Sequence, residues 1–281
     1  MTDVVTLETG THELLCEIRN RVATVTLNRP HKKNSLSDLL TPALREILLV
    51  LEERADVGCV MLTGTGDAFC SGGNVSGFSG GASDDSGASP APSRSHDERV
   101  TELIRKQEAL TLRLYELAKP TIAALPGPAA GAGLSIALAC DLRVASRQAF
   151  IITAFRNIGL SGDYGSSWFL NRLIGQSKAK ELMYFSERVG AEECARLGLV
   201  NSVFEDETFR DDAFAYAERL ANGPTVALNR MKRNINRGGL QGLRESLALE
   251  AEHMVASFRT EDAREAIRAF AEKRKPDFKF R

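Results

Sequence analysis

A chain of 281 residues with 43% hydrophobic content can bury one large core or two modest ones. Lysine and arginine number 36 against 37 for aspartate and glutamate, and a net charge of -1 excludes general electrostatic attraction to nucleic acid or acidic membranes. The N-terminus has no basic start followed by an apolar stretch and no run approaches a bilayer span, so a cytoplasmic protein that does not enter membranes is expected.

Along the chain, "VATVTLN" (22–28) and "VGCVMLTG" (57–64) read as strands, one by alternation and one as an apolar run stopped by glycine. Between them, Leu39, Leu40, Leu44, Ile47, Leu48 and Leu51 recur at helical spacing, with Ser37 or Thr41 as the N-cap and Pro42 best accommodated in the first turn. Strand, helix, strand implies a crossover and parallel pairing. The Gly-, Ser-, Pro- and Asp-rich stretch from 73 to 98 reads as a surface loop, after which helical spacing returns from Val100 to about Leu117. "PTIAALPG" (120–127) reads as a buried strand, "DLRVAS" and "AFIIT" as another strand pair, "SSWFLNRLIG" as the start of a run of helices, and "VNSVF" (200–204) as the last strand. Residues 205–281 are helical in period and charge pattern.

Five scattered cysteines, never spaced as CxxC, and four isolated histidines predict neither a disulfide framework nor a metal site. Two glycine clusters stand out: "GDAFCSGGNV" (66–75) and "PGPAAGAGLS" (126–135). Each follows a strand and precedes a loop or helix, where bare backbone can approach a ligand. Gly131, Ala132 and Gly133 fall at a helix start, whose unpaired N–H groups carry the positive end of the helix dipole. The helix that follows is apolar all round and therefore buried, so those amides would face a cavity. A tight turn or close helix packing also selects small residues, and neither cluster matches a phosphate-binding glycine motif. "GFSGG" around Ser79 has nucleophile-elbow spacing but no preceding strand.

Together, "NRP" with "NSLS", "LTGTGDAFCSGGNV", "LPGPAAGAGLSIALACDLRVAS", "AFRNIGLSGDYGSSWFLNRLIG", "AEECARLGLVNSVF" and the tail "FAEKRKPDF" resemble the crotonase, or enoyl-CoA hydratase/isomerase, superfamily from about residue 13 to the C-terminus. The resemblance implies an α/β fold, a ββα superhelix over residues 1–204 with a flexible insertion at about 76–99. Residues 205–281 would then be a helical C-terminal trimerisation region, making a homotrimer or a dimer of trimers. It also implies an acyl-CoA thioester as substrate, with coenzyme A present only as part of that substrate and no further cofactor.

By motif position, the resemblance assigns the amides of Gly73 and Ala132 to the thioester oxygen of an enolate, where preset donors stabilise developing charge. CoA would lie along Lys32, Lys33, Ser71, Gly72, Asn74, Val75 and Gly131, aided by Lys273 or Lys275 of the same or a neighbouring chain. Phe155, Tyr164 and Trp168 would line the acyl group. Hydratases of the family use two glutamates, and their positions here hold Ser135 and Phe155. Asp163 matches the aspartate of family isomerases, with Gly162 in place of the usual proline. The chemistry implied is a double-bond shift with Asp163 as acid/base and Ser135 orienting water or substrate. The alternatives are hydration or thioester hydrolysis through water activated by Asp163, or acyl-CoA binding with little turnover. On the residues alone, Asp163 can also cap the helix after it, Ser135 can equally bond a preceding carbonyl, and Asp141 reads as structural.

Overall fold

The computed structural model describes residues 4–73 and 95–280. Asn74, Val75, Ser79 and most of the expected 76–99 insertion lie outside the described residues. The chain opens with β1 (Val5–Leu7) and β2 (Leu14–Arg19), neither anticipated, although Leu14, Cys16 and Ile18 alternate inward along β2. β2 turns into β3 (Val22–Leu27) through Asn20 and Arg21, both left-handed at φ 48° and 66°, the two-residue turn whose twist suits a hairpin. Helix α1 (Leu40–Glu53) crosses to β4 (Cys59–Gly64), parallel to β3 with Val22 opposite Cys59 and Leu27 opposite Gly64. Ser37, not Thr41, serves the helix start: its Oγ accepts the Leu40 N–H at 2.9 Å. Pro42 lies in the first turn, where a missing N–H costs no intrahelical bond.

The helix expected from Val100 begins earlier, at Ser95, as α2 (His96–Gln107). Ser95 and Glu98 form a reciprocal capping box, a spacing visible in the sequence but not used. The helix widens into one π turn (Glu108–Leu112) before α3 (Arg113–Glu116). Then come β5 (Thr121–Leu125), β6 (Ala129–Ala130), α4 (Ala132–Ala139), β7 (Leu142–Ser146), β8 (Phe150–Ile152) and α5 (Ser166–Phe185). β9 (Val189–Gly190), α6 (Ala191–Arg196) and β10 (Ser202–Phe204) complete the strands.

The main sheet has the order β1-β2-β3-β4-β5-β7-β10, parallel from β3 onward, and a smaller sheet has the order β6-β8-β9. Isolated bridges from Leu36 to Gly73 and from Cys70 to Ala129 extend the small sheet. Each turn of the spiral thus lays one strand in the large sheet, one extended segment in the small one, and then a helix. For this reason "DLRVAS" and "AFIIT" are consecutive strands but not a pair: β7 bonds to β5 and β10, β8 to β6 and β9.

The central strands β4 and β5 are buried on both faces. Val60 and Leu62 join the core beneath α1 and α4, while Cys59 and Met61 face the other way, onto Ala213, Ala217 and Ala221 of α7 (Phe209–Ala221). Because α7 closes that face, the boundary expected at 204/205 cuts through the packed core. Beyond it, α8 (Thr225–Gly238), α9 (Leu243–Ser257) and α10 (Glu261–Ala271) carry exposed apolar side chains, among them Ile235 and Phe270 at 76% and 88% exposure. No helix among the described residues is long and apolar enough to cross a membrane.

Candidate active site

The site sits past the C-terminal ends of β3, β4 and β5, where the chain leaves the large sheet. Asn34, fully buried and left-handed at φ 55°, organises the first turn. Its Oδ1 accepts the Arg29 N–H at 2.8 Å, and its Nδ2 donates to the carbonyls of Thr65 (3.0 Å) and Ala68 (2.8 Å). Asn34 opens the "NSLS" motif, and its signal in the sequence is a polar residue that tolerates left-handed backbone between two turns. Ser71 then ties the second turn to the first, its N–H bonding the Lys33 carbonyl at 2.9 Å and its Oγ the Lys32 carbonyl at 3.1 Å. Lys33 pairs with Asp67 at 2.6 Å in an exposed bridge that holds the Asp67 carboxyl below its ordinary range. Such exposed pairs are weak, so the ammonium remains exchangeable toward an anion.

The two glycine clusters meet. Gly72, at φ +97°, is a position where a Cβ would sit 2.9 Å from the Ala130 carbonyl oxygen and 3.5 Å from the Ala132 nitrogen. Gly131, at φ +51°, turns the chain from β6 into α4, and a Cβ there would lie 3.9 Å from the Gly72 Cα. Leu36 donates to the Gly72 carbonyl at 2.9 Å on one edge of this segment, while Ala130 donates to the Cys70 carbonyl at 2.9 Å on the other. By the alternation of a parallel ladder, the Gly73 N–H projects away from Leu36, toward the side on which Ala130 to Ala132 run. Ala132 is the first residue of α4, so its N–H has no partner within the helix.

Around these amides the walls are apolar. Phe155 is buried, and its ring lies 3.9 Å from a Cβ position on Gly131 and 3.5 Å from one on Gly162. Burial pushes the neighbouring Cys70 thiol up to about 12, so it is not a nucleophile at neutral pH. Ser135 is fully buried, and its hydroxyl points to the carbonyls of Gly131 (3.2 Å) and Asp163 (3.0 Å). Positions 135 and 155 therefore carry no ionisable group.

Asp163 lies in a turn of left-handed residues: Gly162, Tyr164 and Gly165 have φ of 102°, 51° and 82°. It does not cap α5 with its side chain. Its Oδ1 is buried without a hydrogen-bond partner, and desolvation raises its pKa above the ordinary aspartate value. The Tyr164 ring is buried in the core, its hydroxyl accepting from Arg45 Nη2 at 3.3 Å, while its backbone N–H donates to Gln107 Oε1 at 2.6 Å. Gln107 was not singled out from the sequence, and nothing local marks it.

Trp168 stands one helical turn further on, edge-to-face with Tyr115 at 5.1 Å and Phe169 at 5.0 Å and covered by the Arg172 guanidinium at 3.6 Å. It lines a cavity of about 480 Å³ together with Gln107, Tyr115 and Gly165, beside the Asp163 turn rather than at the glycine clusters. The tail after Lys273 runs to Phe280, whose ring lies under Arg21 at the N-terminal end of β3, whereas Lys32 and Lys33 follow the opposite end of that strand. Asp141 is structural: it accepts the Thr121 N–H at 2.8 Å and pairs with Lys232 at 3.0 Å. Among the described residues no group of three His, Cys, Asp or Glu side chains is arranged to hold a metal.

A model of the enoyl-CoA hydratase/isomerase family matches residues 17–281. The chain is 35% identical to the 1,2-epoxyphenylacetyl-CoA isomerase of Escherichia coli over 265 residues, 94% of this chain and 97% of that protein. It is 31% identical to the short-chain-enoyl-CoA hydratase of Clostridium acetobutylicum over 94% of this chain and 96% of the relative. The crystal structure of an enoyl-CoA hydratase from Polaromonas superposes with a TM-score of 0.84 at 32% identity, covering 94% of this chain and 98% of that one.

Proposed function

Because the chain belongs to the enoyl-CoA hydratase/isomerase (crotonase) family, whose members act on CoA thioesters, we propose that it is an acyl-CoA double-bond isomerase with Asp163 as the acid/base. The observation that carries this reading is the buried, unpartnered Oδ1 of Asp163 beside two positions, 135 and 155, that carry no carboxylate. In the proposed reaction the thioester oxygen accepts hydrogen bonds from the amides of Gly73 and Ala132. The Asp163 carboxylate removes a proton from C2 of a 3-enoyl thioester, leaving a dienolate whose charge rests on that oxygen. The same carboxyl group then returns the proton at C4, so the double bond moves from C3–C4 to C2–C3 and no other reactant is consumed.

Burial suits Asp163 to this task, since a raised pKa makes its carboxylate a stronger base once ionised. Ser71 and Gly72, with the exchangeable ammonium of Lys33 and with Lys32, are proposed to take the CoA portion. Gly131 and Phe155 would face the thioester, and Trp168 the far end of the acyl group through the adjoining cavity. An aromatic ring epoxide thioester is the second substrate class under this reading, in keeping with the name of the E. coli relative.

The test is product analysis with 3-enoyl, 2-enoyl and aryl thioesters, for the wild type and for Asp163→Asn and Ala132→Pro. Proline is tolerated at a helix's first position, where it replaces the N–H in question with a ring methylene. Isomerisation without a mass change is expected, with each substitution lowering kcat by about a hundredfold or more. A water adduct or free CoA as the main product would replace isomerisation with hydration or hydrolysis. Full activity in Asp163→Asn would overturn Asp163 as the acid/base, and no turnover of any thioester by a wild type that still binds CoA would leave the acyl-CoA-binding alternative.

A further inference from the structure

Asp163 and Tyr164 share one peptide plane, and two side chains distant in sequence hold its two ends. On one side the carbonyl of Asp163 accepts from Ser135 Oγ at 3.0 Å, and from the Ser166 N–H at 3.2 Å. On the other side the N–H of Tyr164 donates to Gln107 Oε1 at 2.6 Å. Ser135 is a fully buried residue of α4, the helix that begins at Ala132; Gln107 is the last residue of α2. We propose that Gln107 and Ser135 form a positioning pair that clamps the 163–164 peptide and so aims the Asp163 carboxylate at the substrate carbons. This proposal rests on the reading of Asp163 as the acid/base.

The clamp explains the backbone. A bulky aromatic residue at φ 51° is strained and persists only where its surroundings dictate the conformation. Rotating this peptide toward an ordinary φ for Tyr164 would take the carbonyl from Ser135 and the N–H from Gln107 together. A fully buried Ser135 would then keep only the longer contact to Gly131, at 3.2 Å. The local form of α2 also serves Gln107: the helix widens into its π turn immediately after it, and the Gln107 carbonyl takes the Thr111 hydroxyl at 3.1 Å. Single π turns inside helices recur at functional sites because they re-aim a side chain without ending the helix. Ser135 thus acts through the main chain of Asp163, and its single hydrogen is already committed to carbonyl oxygens.

The experiment pairs Gln107→Met, of similar length and without an acceptor, with Gln107→Glu, which keeps a carboxyl oxygen at the same reach. Ser135→Ala and the double variant Gln107→Met/Ser135→Ala complete the set. Hydrogen–deuterium exchange of a peptide spanning 160–166 is followed beside steady-state kinetics on the best thioester. The expected result is at least tenfold faster exchange in Gln107→Met and near wild-type exchange in Gln107→Glu. kcat should fall about tenfold or more with KM within about twofold in Gln107→Met and Ser135→Ala, and largely recover in Gln107→Glu. The double variant should lose less than the product of the single losses, because both side chains act on one peptide. Unchanged exchange in Gln107→Met overturns the clamp. Faster exchange with kcat within twofold of wild type overturns its role in aiming the carboxylate. Retained turnover in Asp163→Asn defeats the acid/base reading itself, and is read separately from the exchange rates. Should Gln107→Met fail to fold, Ser135→Ala carries the same two readouts.

Discussion

Asp163 is held in the folded chain against its own solvation, and this has a consequence for stability as well as for catalysis. Desolvation raises its pKa in the folded state above the unfolded value of 3.8, so the folded chain holds that proton to higher pH than the unfolded chain does. Its contribution is therefore fully present below the unfolded pKa and is lost as pH rises through the folded one. Asp163→Asn should accordingly raise Tm at pH 7 while lowering kcat, and the gain in Tm should shrink as pH is lowered below the folded-state pKa. A thermal melt series across pH checks this; a variant less stable than wild type at neutral pH would mean that the carboxylate has an unrecognised partner. Ser135 shows the limit of reading residues singly. Its hydroxyl does bond a preceding carbonyl, as the residue type allows, but the bond that matters spans 28 residues to Asp163.

At the scale of elements, α4 carries at Ala132 the amide proposed for the thioester oxygen, and its other end must be closed as well. Its side chains are buried all round, so its last carbonyls cannot turn to water. Arg143, itself buried, supplies the donors: Nη1 reaches the carbonyls of Cys140 at 2.7 Å and Leu138 at 3.4 Å, and Nε that of Leu199 at 2.7 Å. A cation at a helix C-terminus also complements its dipole, whose positive end lies at Ala132. Arg143→Met keeps much of the bulk and orphans these carbonyls at about 1–3 kcal/mol each, so a loss of about 3 kcal/mol or more is expected by denaturant titration. A loss below about 1 kcal/mol would show that the helix end finds other donors. The same scale separates what was legible from what was not. The alternation of β3 and the apolar run of β4 were readable because burial sets the period of a strand. The start of α2 was readable too, in the Ser95–Glu98 spacing. Its π turn was not, because a change of helical pitch answers to what the helix packs against rather than to its own residues.

For the whole molecule, the open question is what covers α8 to α10. Ile235, Leu243 and Phe270 stand 76%, 76% and 88% exposed, more apolar surface than three neighbouring helices of a monomer ordinarily leave in water. A homotrimer, or a dimer of trimers, would bury such faces. Within its own chain, α8 is held by the half-buried Asp141–Lys232 pair and by hydrogen bonds from Lys232 Nζ to the Leu114 and Lys119 carbonyls and from Asn236 Nδ2 to the Tyr115 carbonyl. Size-exclusion chromatography with light scattering should give three or six times the 30.6 kDa chain mass, and Ile235→Glu should shift it toward the monomer. A monomeric wild type would remove the trimer from consideration.

The sequence by itself determined the ordered glycine-bearing motifs, the want of a carboxylate at 135 and 155, and the parallel crossover pattern. All of these are properties of residue type and short-range spacing, which survive without knowing where the chain goes next. Only the tertiary structure decided that Gly72 lies against Ala132, that α7 belongs to the sheet, that the "DLRVAS" and "AFIIT" strands part into different sheets, and that Ser135 and Gln107 grip one peptide. Each of these joins residues separated by tens of positions, and such pairings are chosen by the burial of whole faces, for which no local signal exists.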